Sequence, residues 1–494
     1  MTLFVRLLLL CSVCACLCES ATNTAYQFYR RETTYAGPRG TQSRGSSRMT
    51  RTQYMCMVLG VCSSALPPST VAQSQKNPRI VFQWNQLEFD YASEAERSAD
   101  IAAGLFTPAT IGPIDVDVYY SRRAPNLNHV FISIPRFVAG IPATFGIVTN
   151  RNYSGNPLIR PYPDWSWHKN PEQCKRNRIV SVFRVRIDEC GRLWVLDTGK
   201  IGSNIICRPQ ILAFDVETNQ VIHRHELGTE VVGAQYLLVT PAVDVRDPNS
   251  GCQDTFVYVA DVLGYSLIVY DVFRDRSWRI QDKSMYPYPN FGTYNIAGDS
   301  FELMDGILGL SLSPNRQGED RVLFFHAMSS PTENWVYTSD IRNYTRFQDN
   351  PASYPEIFHT YNNGRTTQSA AEDINKDGIM FFGLLGDVTI ACWSTGTDYG
   401  TKQFDIVANN PVTMQFPSGI KVIRNSRGEE ELWILTSRFQ KIANGSLNTN
   451  EPNFRIQAVM IDELVRGSSC QGKHYSQNQI AGASSGYGLS GKRG

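Results

Sequence analysis

Asp188-Glu-Cys-Gly-Arg-Leu-Trp-Val-Leu-Asp-Thr-Gly199 decides the fold. Four polar or turn-forming residues come first, then an unbroken β-rich run, then a polar exit that contains Gly. The same pattern recurs five more times. Asn126-Leu-Asn-His precedes VFISIP, Asn249-Ser-Gly-Cys precedes QDTFVYVAD, and Asn315-Arg-Gln-Gly precedes RVLFFHA. Asn375-Lys-Asp-Gly precedes IMFFGLLG, and Asn425-Ser-Arg-Gly precedes EELWILTSRF. Anchored on Val130, Leu193, Val257, Val322, Met380 and Leu432, the intervals are 63, 64, 65, 58 and 52 residues.

Most units also have a β-rich run before the anchor, such as SVFRVRID, and another after it, such as QILAFDVE. No amphipathic helical pattern lies between the runs, which argues against βαβ units. Units of this length with about four strands each are the mark of propeller blades. The expectation is an all-β, six-bladed β-propeller over residues 81–470. Two stacked β-sandwiches are the alternative, but they would not demand one turn-then-strand signature six times.

The flanks read differently. Leu3–Cys18 is apolar apart from Arg6 and leads to Glu19-Ser20-Ala21, so residues 1–20 read as a secretory signal. A second apolar patch, Tyr54–Ala65, follows Met49 and resembles another signal, so the mature chain would start near 21 or near 66. Six Arg and one Glu fall in residues 21–53 among Ser, Thr, Gly and Tyr, a composition that cannot bury a core. Residues 21–80 are therefore expected to be a disordered basic extension, and 471–494 a disordered tail.

Lys and Arg number 47 against 46 Asp and Glu, so no global field draws the chain to nucleic acid. No apolar run past the N-terminus is long enough for a transmembrane helix. Six of the 12 Cys lie in the body, and none have zinc-ligand spacing. For a secreted chain they imply three disulfides among 15 possible connectivities. In a propeller, Cys190 and Cys252 fall in equivalent turns of adjacent blades on one face. Cys174 and Cys207 fall on the other face. That leaves Cys392 and Cys470 to latch the ring where its ends meet. Asn152, Asn343 and Asn444 head glycosylation sequons.

Few chemical motifs survive inspection. Asp373-Ile-Asn-Lys-Asp-Gly starts like a calcium loop, but its twelfth position is Leu384 where a Glu is needed, so it reads as a turn. His223 and His225 lack a third metal ligand, and the Gly-rich tail at Gly486 is framed by neither strand nor helix. No metal and no cofactor are implied. The more promising feature is one rim of the ring, where second strands end. It gathers Arg136, Asp197, Asp261, Ser437, Arg438 and Phe439, with Phe416 and Ser418 at the start of a first strand. Aromatic faces beside hydroxyls and a carboxylate suit a small aromatic amine or catechol. The alternative is that Asp197 and Asp261 cap turns and the Phe residues plug the ring.

Asp188–Gly199 also closely resembles the insect Yellow / major royal jelly protein family. So do Ile141-Pro-Ala-Thr, Tyr162-Pro-Asp-Trp, Ala260-Asp-Val-Leu-Gly-Tyr, Leu310-Ser-Leu-Ser-Pro, Gln415-Phe-Pro-Ser-Gly and Asn453-Phe-Arg-Ile. The resemblance spans residues 83–470 and looks closer to the Yellow branch. It implies a secreted six-bladed propeller tied to cuticle or eggshell melanisation and sclerotisation. Some members of the family resemble dopachrome-converting enzymes, and salivary members bind biogenic amines. The amine pocket carries over to Phe416, Ser418, Ser437 and Phe439, with Ser437 standing where the amine binders have an amide. Three functions follow as expectations. One is an isomerase acting on dopachrome, with Asp197 or Asp261 as base. Another is a binder of an amine or catechol without turnover, and the third is a cuticle-matrix protein anchored by its basic, Tyr-containing N-terminus.

Overall fold

The computed structural model describes residues 77–123 and 128–472. The signal segment, the second apolar patch, most of the basic extension, part of the Asn126 turn and the tail after Gly472 lie outside the described residues. Among the described residues, no helix is long and apolar enough to cross a membrane.

Six antiparallel sheets follow one another along the chain. Blade 1 is Asp115–Tyr120, Asn128–Ser133, Phe145–Tyr153 and Asn156–Pro161, with Glu88–Phe89 added parallel at its edge. Blade 2 is Val182–Ile187, Arg192–Asp197, Gln210–Asp215 and Gln220–Glu226. Blade 3 is Leu238–Val245, Thr255–Asp261, Ser266–Asp271 and Arg276–Ile280. Blade 4 is Ile307–Leu312, Val322–Ala327, Asn334–Tyr337 and His359–Thr360. Blade 5 is Glu372–Ile374, Ile379–Leu384, Thr389–Ser394 and Asp405–Asn409. Blade 6 takes Pro417–Arg424, Glu430–Thr436 and Phe454–Met460 from the end of the chain, and Arg79–Trp84 from its beginning. First strands of successive blades neighbour one another around a central channel, and the sixth neighbours the first. All six anchors lie on second strands, as the repeat requires.

The unbroken apolar runs follow from each blade being packed between two others. Leu193 and Val195 face a cluster shared with blade 1, and Trp194 and Leu196 face one shared with blade 3. A strand buried on both faces has no reason to alternate polar and apolar residues. The preceding turn is built by Asp188. Its Oδ1 accepts from the Cys190 and Arg192 backbone N–H groups at 2.9 and 3.0 Å. Its Oδ2 accepts from Arg192 Nε and Trp194 Nε1 at 2.7 and 2.8 Å. Gly191 takes φ 78°, a left-handed conformation that glycine adopts without steric cost. Asn375 and Asn425 accept turn N–H groups in the same way, so the Asp373 segment is a blade turn.

Two devices close the ring. The N-terminal strand Arg79–Trp84 pairs with Phe454–Met460. Beside it, Cys392–Cys470 ties blade 5 to the segment after blade 6, with Cα atoms 6.4 Å apart. Cys174–Cys207 and Cys190–Cys252 form the other two disulfides, one on each face. The strand closure is absent from the six-fold signature because its residues lie outside the repeat. Asn152, Asn343 and Asn444 are all exposed.

Candidate functional site

The channel has two unlike mouths. At the face where first strands begin, five Phe rings converge. Phe416 precedes the first strand of blade 6, and Phe439 opens the short helix Phe439–Ala443 after its second strand. Their centroids lie 4.9 Å apart. Phe137, just past the second strand of blade 1, stands 5.3 Å from Phe183 and 6.1 Å from Phe439. Phe301 arrives on a separate hairpin, Thr293–Ile296 and Asp299–Glu302, and contacts Phe439 at 5.8 Å and Phe416 at 6.5 Å. Lys441 and Asp299 pair at 2.8 Å and pin that hairpin to the helix. Phe137, Phe301 and Phe439 are half-buried, and the rings close over one another at this mouth.

The polar groups at this mouth are unusual. Ser418 and Ser437 are buried at 2% and 0% exposure, and neither hydroxyl has a hydrogen-bond partner among the described residues. A buried hydroxyl without a partner costs about 1–3 kcal/mol. Phe416 and Arg438 take φ 49° and 41°, left-handed conformations that bulky residues rarely adopt and that gather at ligand sites. Ser437 N–H donates to the Phe416 carbonyl at 3.2 Å and so couples the two strained turns.

The structure brings Phe416, Ser418, Ser437 and Phe439 together. It gives the other rim residues different surroundings. Asp197 accepts from the backbone N–H groups of Val180, Ser181 and Gly199 and from Gln210 Nε2, at 2.8–3.1 Å. Asp261 accepts from Leu237 N–H, Gly264 N–H and the Ser266 hydroxyl. Burial pushes both carboxyls up in pKa against these donors. Both Asp side chains tie strand ends together, and a base so fully engaged would have to break its own turn to move. Arg136 is buried as well, donating to the carbonyls of Ile141, Pro142, His168, Ile179 and Val180. Burial lowers its pKa to about 10.

Sequence reasoning missed a carboxyl residue whose backbone is tied to this mouth. Asp305 follows the Phe301 hairpin, and its backbone N–H donates to Ser329 Oγ at 3.0 Å. Ser329 Oγ also meets the Tyr294 hydroxyl at 2.8 Å, and Tyr294 stacks on Phe301 at 4.8 Å. Burial alone pushes the Asp305 carboxyl up to about 7, a value suited to proton transfer near neutral pH. Phe137 and Phe301 were missed too. They sit in connections that differ from blade to blade, so no repeat points to them.

Below this mouth the channel turns polar. Arg186 of blade 2 reaches across the ring to Asp373 of blade 5 at 2.6 Å. Lys421 pairs with Asp115 at 3.0 Å. Between blades 4 and 5 lies a wholly buried group of His326, Glu333, Glu372, Arg365 and Tyr399. His326 Nδ1 stands 3.1 Å from Glu333 and 3.0 Å from Glu372, and Nε2 meets the Ser369 carbonyl at 3.1 Å. A ring with both nitrogens against acceptors is an imidazolium, and the two carboxylates raise its pKa to about 8 despite burial. Gly309 faces the ring so closely that a Cβ there would lie 2.2 Å from it. His326, Glu333 and Glu372 have ligand-type atoms within 4.8 Å of one another, the donor set of a divalent cation. Arg365, 2.9 Å from Glu333, already supplies the positive charge there, so the group reads as a charge knot between blades. His225 is engaged elsewhere, between Asp275 and Ser277 at 2.8 Å each.

A family model described as Major royal jelly protein matches residues 180–470. Major royal jelly protein 9 of Apis mellifera is 35% identical over 404 residues, covering 80% of this chain and 90% of that protein. Dopaminechrome tautomerase of Drosophila melanogaster is 30% identical over 405 residues, covering 81% and 85%. Protein yellow of Drosophila yakuba is 32% identical over 396 residues, covering 79% and 70%.

Proposed function

Because this chain belongs to the Yellow / major royal jelly protein family, we propose that it is a secreted pigmentation protein whose aromatic mouth takes a catechol- or indole-type ligand. The observation that carries this reading is the pair of orphaned hydroxyls, Ser418 and Ser437, buried under five Phe rings. Rings stack on the flat body of such a ligand, and its oxygens satisfy the hydroxyls. The role extends to cuticle or eggshell melanisation, with Asn152, Asn343 and Asn444 glycosylated on a secreted chain.

The reaction that fits is tautomerisation of dopachrome or dopaminechrome. For dopaminechrome, two ring C–H protons move to the two quinone oxygens as the ring becomes an aromatic dihydroxyindole. No atom or electron leaves the molecule. Asp305, ionised above pH about 7, takes the first carbon proton, and the Ser hydroxyls hold the quinone oxygens. Binding without turnover is the second reading, favoured by the full engagement of Asp197 and Asp261.

The test is the decay of dopachrome and dopaminechrome with the purified secreted protein, a Ser437→Ala/Phe439→Ala variant and a boiled sample. Acceleration that the variant loses supports a tautomerase at the aromatic mouth. Acceleration that the variant keeps moves the reaction elsewhere. A rate equal to the boiled sample rejects turnover and leaves the binding reading, to be measured by amine titration.

A further inference from the structure

The opposite mouth of the channel opens into a cavity of about 940 Å³ that shares none of the five Phe residues. Its volume lies within the ordinary range for small-molecule sites. Its wall is polar, and most of its charges are paired within the protein. Arg186 has Asp373, Lys421 has Asp115, and Arg321 has Asp244.

Arg184 is the buried cation left out of this pairing. It lines this cavity from the first strand of blade 2 at 4% exposure. Its Nε is buried without a partner, and its side chain makes no hydrogen bond or salt bridge among the described residues. Asp115 and Glu372 act on it only from beyond salt-bridge distance. Next to it in the ring, Thr240 of blade 3 lines the same cavity with its hydroxyl buried and unpartnered. Both residues fall where the strand register slips by one, between Val182 and Val185 and between Leu238 and Pro241. Such bulges re-aim side chains and recur beside binding sites. Across the channel, Glu372 of blade 5 lines the cavity too. Its Oε2 has no aligned hydrogen bond, although His326 lies behind it, and Ser311 reaches its Oε1 only at 3.4 Å.

From these residues we infer that the polar mouth is a second ligand site, built for a small zwitterion of the α-amino-acid class. The ligand carboxylate sits on Arg184 and Thr240, and its ammonium sits against Glu372. A simple anion would face the Glu372 carboxylate, and a simple cation would face Arg184. A molecule bearing both charges gives Arg184 the anion it lacks, and gives Glu372, which His326 approaches at 3.0 Å without an aligned hydrogen bond to Oε2, a second cation on its cavity side. An isolated buried guanidinium is costly, and a ligand carboxylate with bidentate geometry removes that cost.

Calorimetric titration of the full chain with tyrosine, tyramine and 4-hydroxyphenylpropionate tests this directly. The three probes share the phenol and differ only in which charges they carry. Tyrosine is expected to bind at least about tenfold more tightly than either of the others, as loss of a hydrogen bond to a charged group predicts. Arg184→Met should abolish that preference, Arg184→Lys should keep part of it, and Phe439→Ala should leave it unchanged. The wild-type ranking of the three probes stands even if a variant misfolds. No heat with tyrosine, or tyramine binding as tightly as tyrosine, overturns the proposal. So does loss of tyrosine binding in Phe439→Ala, because the ligand would then lie in the aromatic mouth.

Discussion

The two mouths of one channel are made from the same six strands and solve opposite problems. At the aromatic mouth the strands end in connections that fold back over the opening, and five Phe rings fill it. Two of its buried hydroxyls, Ser418 and Ser437, are left without partners. At the polar mouth the first strands of blades 2, 5 and 6 end in tight Asx turns at Asp188, Asn375 and Asn425, and charged side chains meet across the opening. Long connections can supply an adaptable binding face, whereas short ones leave the wall to the strands themselves. The first mouth is therefore suited to chemistry on a flat ring and the second to recognition of charge.

The sharpest way to break this contrast is Asp305→Asn. If the aromatic mouth is the reactive one, the amide cannot accept the ring-carbon proton, and dopaminechrome conversion should fall by about 10²–10⁴-fold. The wild-type rate should rise as pH passes through about 7, where Asp305 loses its proton, and the variant's residual rate should not follow that curve. An unchanged rate and profile would separate the strained aromatic mouth from any reaction. Stopped absorbance traces between pH 5 and 9 read both quantities.

Next in size is the charge knot behind the polar wall. His326→Leu leaves Glu333 and Glu372 buried with Arg365 as their nearest cation, and removing one partner of a buried ionic group costs about 3–5 kcal/mol. The pH dependence carries a definite sign. The folded protein holds the His326 proton up to about pH 8, and unfolded histidine holds it only to about 6.5. That stabilisation is complete below pH about 6.5 and is lost as pH rises through 8. Thermal melts of the wild type should show this loss, and melts of His326→Leu should lack that component. Ligand affinity at the aromatic mouth should be the same in both proteins.

What the sequence made legible follows the same division. Anything repeated six times could be seen: the turn, the doubly buried second strand, and hence the blades and the facing of the cysteines. Ser437 and Phe439 were legible because they follow a second strand, Phe416 and Ser418 because they stand at the entry of a first strand, and all four carry a family pattern. Phe137, Phe301 and Asp305 were not, since each lies in a connection that no other blade shares. Asp197 and Asp261 show the limit of positional reasoning. Their place on the rim could be read, but the N–H donors that surround them come from segments that only folding brings near. Arg184 and Thr240 were hidden for another reason. A single polar residue on a strand reads as ordinary alternation, and the register slip that turns it into the channel leaves no mark in the sequence.

The smallest expected effect bears on access to the aromatic mouth. Asn444 caps the end of the helix that begins at Phe439, so a glycan there would stand beside the rings, whereas Asn152 and Asn343 lie on outer strands and turns away from this mouth. Asn444→Gln should lower the mass of the secreted protein by one glycan. Stability should move by no more than about 0.5 kcal/mol, as for most exposed substitutions. If the rings alone gate the mouth, the association rate of a catechol ligand should be unchanged in that variant. A faster association would mean that the glycan shares in covering the opening, and the contrast between a closed aromatic mouth and an open polar one would then owe something to the sugar as well as to the five Phe residues.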